Sequence, residues 1–180
     1  MRRVCRVSSI EMIIDLNSFE RERRIDETIP AGEIDLDLSN ARVASDVTLQ
    51  GELIKAAAST ELKGHLSGTL EIDCDRCLEQ QQRPINIELD LEFVPESSFG
   101  SESNLELQAG ELNIDAVAGQ SIDIAEIARE QILLDMPQQF FCREDCQGLC
   151  QKCGTNLNET DCGCSDTEID PRWAALKNLN

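Results

Sequence analysis

The chain has 180 residues, with 35 acidic against 16 basic side chains, a formal charge of −19 at pH 7, one histidine, one tryptophan and no tyrosine. That length supports one core and a small appendage. The charge and the scarcity of aromatic rings argue against extensive direct nucleic-acid binding, which relies on Lys and Arg neutralising phosphates and on stacking platforms. No stretch approaches the roughly 20 apolar residues that span a bilayer, and the N-terminus lacks the apolar run of a secretory signal. A reducing cytoplasm is therefore the expected compartment.

Residues 1–11 show no period and are expected to be a disordered extension. Residues 1–24 hold six arginines against four acids, leaving the remainder with 10 basic and 31 acidic residues, a net of −21. Met12-Ile13-Ile14-Asp15-Leu16 reads as an opening strand. Val47, Leu49, Gly51 and Leu53 alternate as a second. In 60–74, Leu62, Leu66, Leu70, Ile72 and Cys74 share a face with Gly64 and Gly68, glycines that point to bends or bulges. His65 falls on the polar face and reads as a plain surface residue.

Residues 84–94 alternate throughout, with Ile85, Ile87, Leu89, Leu91 and Phe93 on one side and Asn86, Glu88, Asp90 and Glu92 on the other, and Pro84 opening the strand. Residues 96–110 read as a loop or weak hairpin. A helix is expected over 121–135, capped by Ser121 or Asp123, with a stripe of Ile124, Ile127, Ala128 and Leu134, and closed by Met136-Pro137. A short terminal helix runs from Pro171 to Leu179 with Asp170 as its cap. The expected fold is α+β: a curved antiparallel sheet covered by one helix, with a small Cys-rich zinc-binding C-terminal segment. The expected divisions are the extension 1–11, a β-rich core over 12–137 and the Cys-rich segment with its terminal helix over 138–180.

Nine cysteines dominate the chemistry. Six fall in the spacing Cys142-x3-Cys146-x3-Cys150-x2-Cys153-x8-Cys162-x-Cys164. So dense a set needs a metal or disulfides, and an odd total in a chain without a secretory signal favours metal. Zinc takes four soft ligands in a tetrahedron, and a CxxC followed by glycine supplies two from one tight turn. Cys150, Cys153, Cys162 and Cys164 make one complete set, with Gly154 and Gly163 permitting the turns. Cys142 and Cys146 with Cys74 and Cys77 would complete a second. A single zinc with ligands drawn from Cys142 to Cys153 is the milder version.

For the Cys74-Asp75-Arg76-Cys77 pair, a thioredoxin-like role is disfavoured. Glu71, Asp73, Asp75 and Glu79 surround it and oppose thiolate formation, and no βαβ pattern follows. A lone histidine, no phosphate-cradling glycine loop and no HExxH leave no catalytic constellation. The expectation is a protein that is not an enzyme.

The stretches DCDRCLE (73–79), LLDMP (133–137), CREDCQGLCQKCGTNLNETDCGC (142–164) and DPRWAALKNL (170–179) resemble the YceD family, in the same order from about Met12 onward. The signature positions matched are Cys74, Arg76, Cys77, Asp170, Pro171 and Arg172. The resemblance implies a ribosome-biogenesis role supporting accumulation of large-subunit (23S) rRNA, with no catalytic residues to carry over. An acidic, non-catalytic protein of this kind would hold a basic large-subunit ribosomal protein or a pre-ribosomal particle. The alternative is a zinc- or redox-sensing regulator, distinguished by reactive thiols.

Overall fold

The computed structural model describes residues 12–96, 114–117 and 119–164. The expected extension over 1–11, the loop over 97–110, the terminal helix and Asp170, Pro171 and Arg172 lie outside the described residues. The chain divides into two compact units. One comprises residues up to Ile72 together with Gln82–Pro137, the other Asp73–Gln81 together with residues from Gln138 onward.

The first unit is mostly sheet. Its strands are β1 (Ile13–Asp15), β2 (Glu22–Ile29), β3 (Ala41–Val43), β4 (Val47–Lys55), β5 (Thr60–Asp73), β6 (Gln80–Pro95), β7 (Ile114–Val117) and β8 (Ser121–Asp123), followed by helix α1 (Ile124–Asp135). Six strands form one open sheet in the order β2-β4-β5-β6-β7, with β3 also pairing β5. β1 and β8 form a separate antiparallel pair, Ile14 opposite Ile122. β5 spans 14 residues and so accommodates two partners end to end. β4 pairs with its first half, from Lys55↔Thr60 to Thr48↔Ser67, and β3 with its far end, Ala41↔Ile72.

The alternation read from the sequence sets the core. Val47, Leu49, Leu53, Leu62 and Leu66 are fully buried, and Leu70, Ile72, Ile85, Leu89, Leu91 and Phe93 are buried with them. At the centre, Gly51 stands opposite Gly64. A Cβ on Gly51 would lie 2.3 Å from the Lys63 carbonyl oxygen and 2.7 Å from Gly64 Cα. These glycines therefore let two backbones approach where no side chain fits, a role other than a bulge.

Four expectations need correction. The sheet is not wholly antiparallel, because β7 runs parallel to β6, Phe93 opposite Asp115. The intervening residues 96–113 are long enough for the crossover that a parallel neighbour requires. β6 begins at Gln80, not at Pro84; residues 80–83 are polar, so no alternation announces them. Residues 121–123 are strand rather than helix, and Asp123 alone caps α1, its Oδ1 accepting from the backbone N–H of Ala125 at 2.9 Å and of Glu126 at 3.4 Å. Leu134 is 78% exposed, and the buried face of α1 is Ile124, Ala125, Ile127, Ala128 and Ile132. No helix among the described residues is long and apolar enough to cross a membrane.

β2 was not legible in the sequence. Its segment ERRIDETI carries only Ile25 and Ile29 as apolar residues, and both are buried. Pairing with β4 along eight positions, from Glu22↔Ile54 to Ile29↔Val47, imposes the extended form.

Candidate metal centres

The second unit is built around sulfur. Its buried cluster is Cys74, Cys77 and Cys146, with Phe141, Cys142 and Leu149 packed against it. Cys74 and Cys77 lie on the turn joining β5 to β6, and Cys142 and Cys146 follow α1 in the chain. The four Sγ atoms all lie within 4.8 Å of one another, with Cys74–Cys146 at 3.8 Å and Cys77–Cys142 at 3.6 Å. Cys150, Cys153, Cys162 and Cys164 form a second group meeting the same limit. All eight are free thiols, and the two measured separations far exceed the roughly 2.05 Å of a disulfide. A tetrahedral thiolate centre with arms of about 2.3 Å has edges of about 3.8 Å. The residues present therefore fit a metal ion in each set.

One backbone turn is used twice. In 74–79, Leu78 N–H donates to the Cys74 carbonyl and Cys74 N–H to the Glu79 carbonyl, both at 2.9 Å. In 150–155, Gly154 N–H donates to the Cys150 carbonyl and Cys150 N–H to the Thr155 carbonyl, both at 2.8 Å. The residue after the second cysteine is left-handed in each, Leu78 at φ 59° and Gly154 at φ 74°. Two residues after that cysteine, an oxygen meets its sulfur: Glu79 Oε2 lies 3.8 Å from Cys77 Sγ and Thr155 Oγ1 lies 3.2 Å from Cys153 Sγ. Glycine is the usual occupant of such a position; Leu78 adopts it while 63% exposed.

The two residues between Cys74 and Cys77 hold the segment that brings Cys142 and Cys146. Asp75 N–H donates to the Phe140 carbonyl at 2.9 Å, and its carboxylate accepts from Phe140 N–H at 2.7 Å. The Arg76 guanidinium stacks 4.0 Å from the Phe141 ring centre and donates to the Cys146 carbonyl at 2.9 Å. Leu149 N–H donates to the Arg76 carbonyl at 3.0 Å. Gly148, at φ 75°, passes so close that a Cβ would sit 2.9 Å from that carbonyl. Arg76 also brings positive charge to a site that four thiolates would leave anionic around a divalent ion.

Burial pushes the Cys74 thiol up, but the backbone N–H groups of Cys77, Cys142 and Arg76 outweigh it and bring the thiol down to about 6. At Cys74 the N–H groups of Cys142 and Arg76, 3.3 and 3.5 Å from the sulfur, favour the thiolate despite the acids that surround the pair. Cys77 is pushed up to about 12, chiefly by burial. In the second set, the Thr155 hydroxyl and amide lower Cys153 to about 6, while the neighbouring Cys162 and Cys153 raise Cys164 to about 12. Metal binding to thiols is coupled to proton release, because the ligand is the thiolate.

Sequence reading missed Asn156 and Asn158, in the spacer between Cys153 and Cys162. Asn158 Nδ2 donates to Cys146 Sγ at 3.3 Å and Asn156 Nδ2 to Glu79 Oε1 at 2.9 Å. The Asn-x-Asn pair, apt for local side-chain-to-backbone turns, was the available signal. His65 is half-buried, its Nδ1 3.5 Å from Glu88.

Residues 62–180 match the family profile described as "Large ribosomal RNA subunit accumulation protein YceD". An uncharacterised Mycobacterium tuberculosis protein is 32% identical over 104 residues, covering 58% of this chain and 47% of that protein. The uncharacterised Bacillus subtilis protein YlbN is 27% identical over 158 residues, 86% of each chain. The chloroplastic Zea mays protein named large ribosomal RNA subunit accumulation protein YCED homolog 1 is 26% identical, covering 86% of this chain and 60% of that protein. The chain spans about half the length of the mycobacterial relatives, and no solved structure matches it. Both four-cysteine sets fall inside the matched stretch, and on that match the chain belongs to the YceD family.

Proposed function

We propose that this protein is a non-catalytic assembly factor supporting accumulation of large-subunit ribosomal RNA in the cytoplasm, and that each cysteine set holds a structural zinc ion. The observation that carries the reading is the coincidence of both four-thiol sets with the stretch matched to a family described by that role. Four sulfurs around one ion leave no open position, whereas catalytic zinc keeps one. A chain of net charge −19 suits a basic partner, a large-subunit ribosomal protein or a pre-ribosomal particle, since complementary fields steer encounter and added salt screens them.

Two measurements test this. In cells lacking the gene, large-subunit rRNA falls relative to small-subunit rRNA. The wild-type chain restores it, and a Cys74→Ser/Cys146→Ser variant does not. Unchanged rRNA in the deletion refutes the assembly role. Metal analysis of the purified chain gives two ions, and stripping them abolishes hydrogen-exchange protection in 74–79 and 138–164 while β4 and β5 stay protected. The reason is magnitude: a structural zinc contributes about 10–16 kcal/mol, comparable to the about 5–15 kcal/mol that holds a whole domain. Full protection of the second unit after complete stripping refutes the structural role. Exposure of Cys153 and Cys164 favours a second reading, a redox-sensing site. Mild peroxide would then release one ion selectively, and release of neither leaves the structural reading standing.

A further inference from the structure

The two thiol sets are chained through one short segment. Cys146 belongs to the first and Cys150 to the second, and the three residues between them are all tied down. Gln147 N–H donates to Asn158 Oδ1 at 2.8 Å, the Gly148 carbonyl accepts from Leu157 N–H at 2.9 Å, and Leu149 pairs with Asn156. Asn156, Leu157 and Asn158 sit in the loop 154–161, whose two ends are ligands of the second set, Cys153 and Cys162. That loop buries no side chain fully; it is fixed by these hydrogen bonds and by whatever holds its ends.

The same loop supplies partners to the first set. Asn158 Nδ2 donates to Cys146 Sγ. Asn156 holds Glu79, whose other carboxylate oxygen faces Cys77 Sγ. Asn158 Oδ1 meanwhile accepts from Arg143 at 2.8 Å as well as from Gln147, so this one amide touches the first set's sulfur and the loop that carries it. Outer-shell donors of this kind orient ligands and tune their affinity.

Resting on the metal-binding reading, we propose that the two sites load cooperatively. An ion at Cys150, Cys153, Cys162 and Cys164 clamps the 154–161 loop and thereby presents Asn158 to Cys146, with Asn158 as the positioning residue that carries the coupling. Coupling is reciprocal, so an ion in the first set tightens the second by the same factor.

The test is a titration of the reduced, metal-stripped full chain with cobalt(II), whose thiolate charge-transfer absorption reports each site, repeated with zinc in competition. Wild type takes two ions in one steep phase. A Cys162→Ser/Cys164→Ser variant takes one ion, bound about 10-fold more weakly than the first site of wild type, within the roughly 5–150-fold typical of coupled sites. Asn158→Asp keeps all eight ligands and the acceptor for Gln147 and Arg143, and its charge strengthens the Arg143 contact, but it removes the donor to Cys146 Sγ and to Asn156 Oδ1. It takes two ions in separate phases, weakens the first site about 10–100-fold and shifts that site's absorption. Two independent phases in wild type, or wild-type affinity and spectrum in Asn158→Asp, overturn the coupling. Absence of any bound ion overturns the metal reading itself, and the coupling with it.

Discussion

Replacing Gly51 by alanine adds one methyl group at the most crowded point of the sheet. The new Cβ would stand 2.3 Å from the Lys63 carbonyl oxygen and 2.7 Å from Gly64 Cα, where unstrained carbon contacts are about 3.5–4.0 Å. Both obstacles are backbone, so no rotamer change relieves them; β4 and β5 must separate by on the order of 1 Å. The neighbouring pairs Leu49↔Leu66 and Leu53↔Leu62 are fully buried, so separation opens the core and stretches ladder hydrogen bonds. Overpacking of a tight core costs about 1–3 kcal/mol, and each weakened hydrogen bond adds about 0.5–1.5 kcal/mol. The expected loss is about 2–5 kcal/mol, a fall in Tm on the order of 10 °C. Gly32→Ala is the control: nothing lies within 4 Å of its added Cβ, so the change is neutral or stabilises by up to about 1 kcal/mol through the unfolded chain. Urea unfolding followed by circular dichroism, on metal-loaded protein, reads both. If Gly51→Ala lies within about 0.5 kcal/mol of wild type, the scatter expected of a surface change, the close approach of β4 and β5 is wrong.

Asp123→Ala removes the acceptor for two helix amides and costs about 1–2 kcal/mol by urea unfolding, while Asp123→Asn, which keeps a cap but not the charge, costs less than half as much. Leu78→Gly relieves a left-handed, largely exposed leucine. The strain released, about 1–2 kcal/mol, offsets the entropy of glycine, about 0.5–1 kcal/mol, so metal content and Tm do not fall; a fall of several degrees would show that Leu78 makes a needed contact. Burial first, then repulsion from Asp115 and Glu126 against weaker attraction from Arg129, raises the Glu130 carboxyl above its ordinary range, with Glu88 and Asp90 also lining the surrounding groove. A raised folded-state pKa means the ionised form destabilises. Glu130→Gln therefore gains a few tenths of a kcal/mol at pH 7, small because the side chain is largely exposed. The gain disappears below about pH 4, where the carboxyl is protonated in both states. A gain that persists at pH 4 refutes the electrostatic cause.

Much of the framework was legible because its physics is local. Alternation at period two located β4, β5 and β6, since a half-buried strand must present apolar side chains to one face only. The CxxC spacings announced tight turns, since the bite of such a turn depends on four consecutive residues. β2 was not legible, because its two isoleucines gain strand form only by pairing with β4. Leu134 was misread because helical spacing marks a stripe without saying where the packing surface ends. The left-handed Leu78 could not be foreseen either, since nothing in DCDRCLE distinguishes it from an ordinary turn residue. Local spacing thus determined that this chain has strands of a given face and sulfur pairs of a given bite. Counting thiols grouped Cys142 and Cys146 with Cys74 and Cys77 as one of two options; what brings them together lies in the folded second unit, where Asp75 and Arg76 grip Phe140, Phe141 and Cys146. Partner choice across some seventy residues of chain depends on such long-range contacts, which no local spacing encodes.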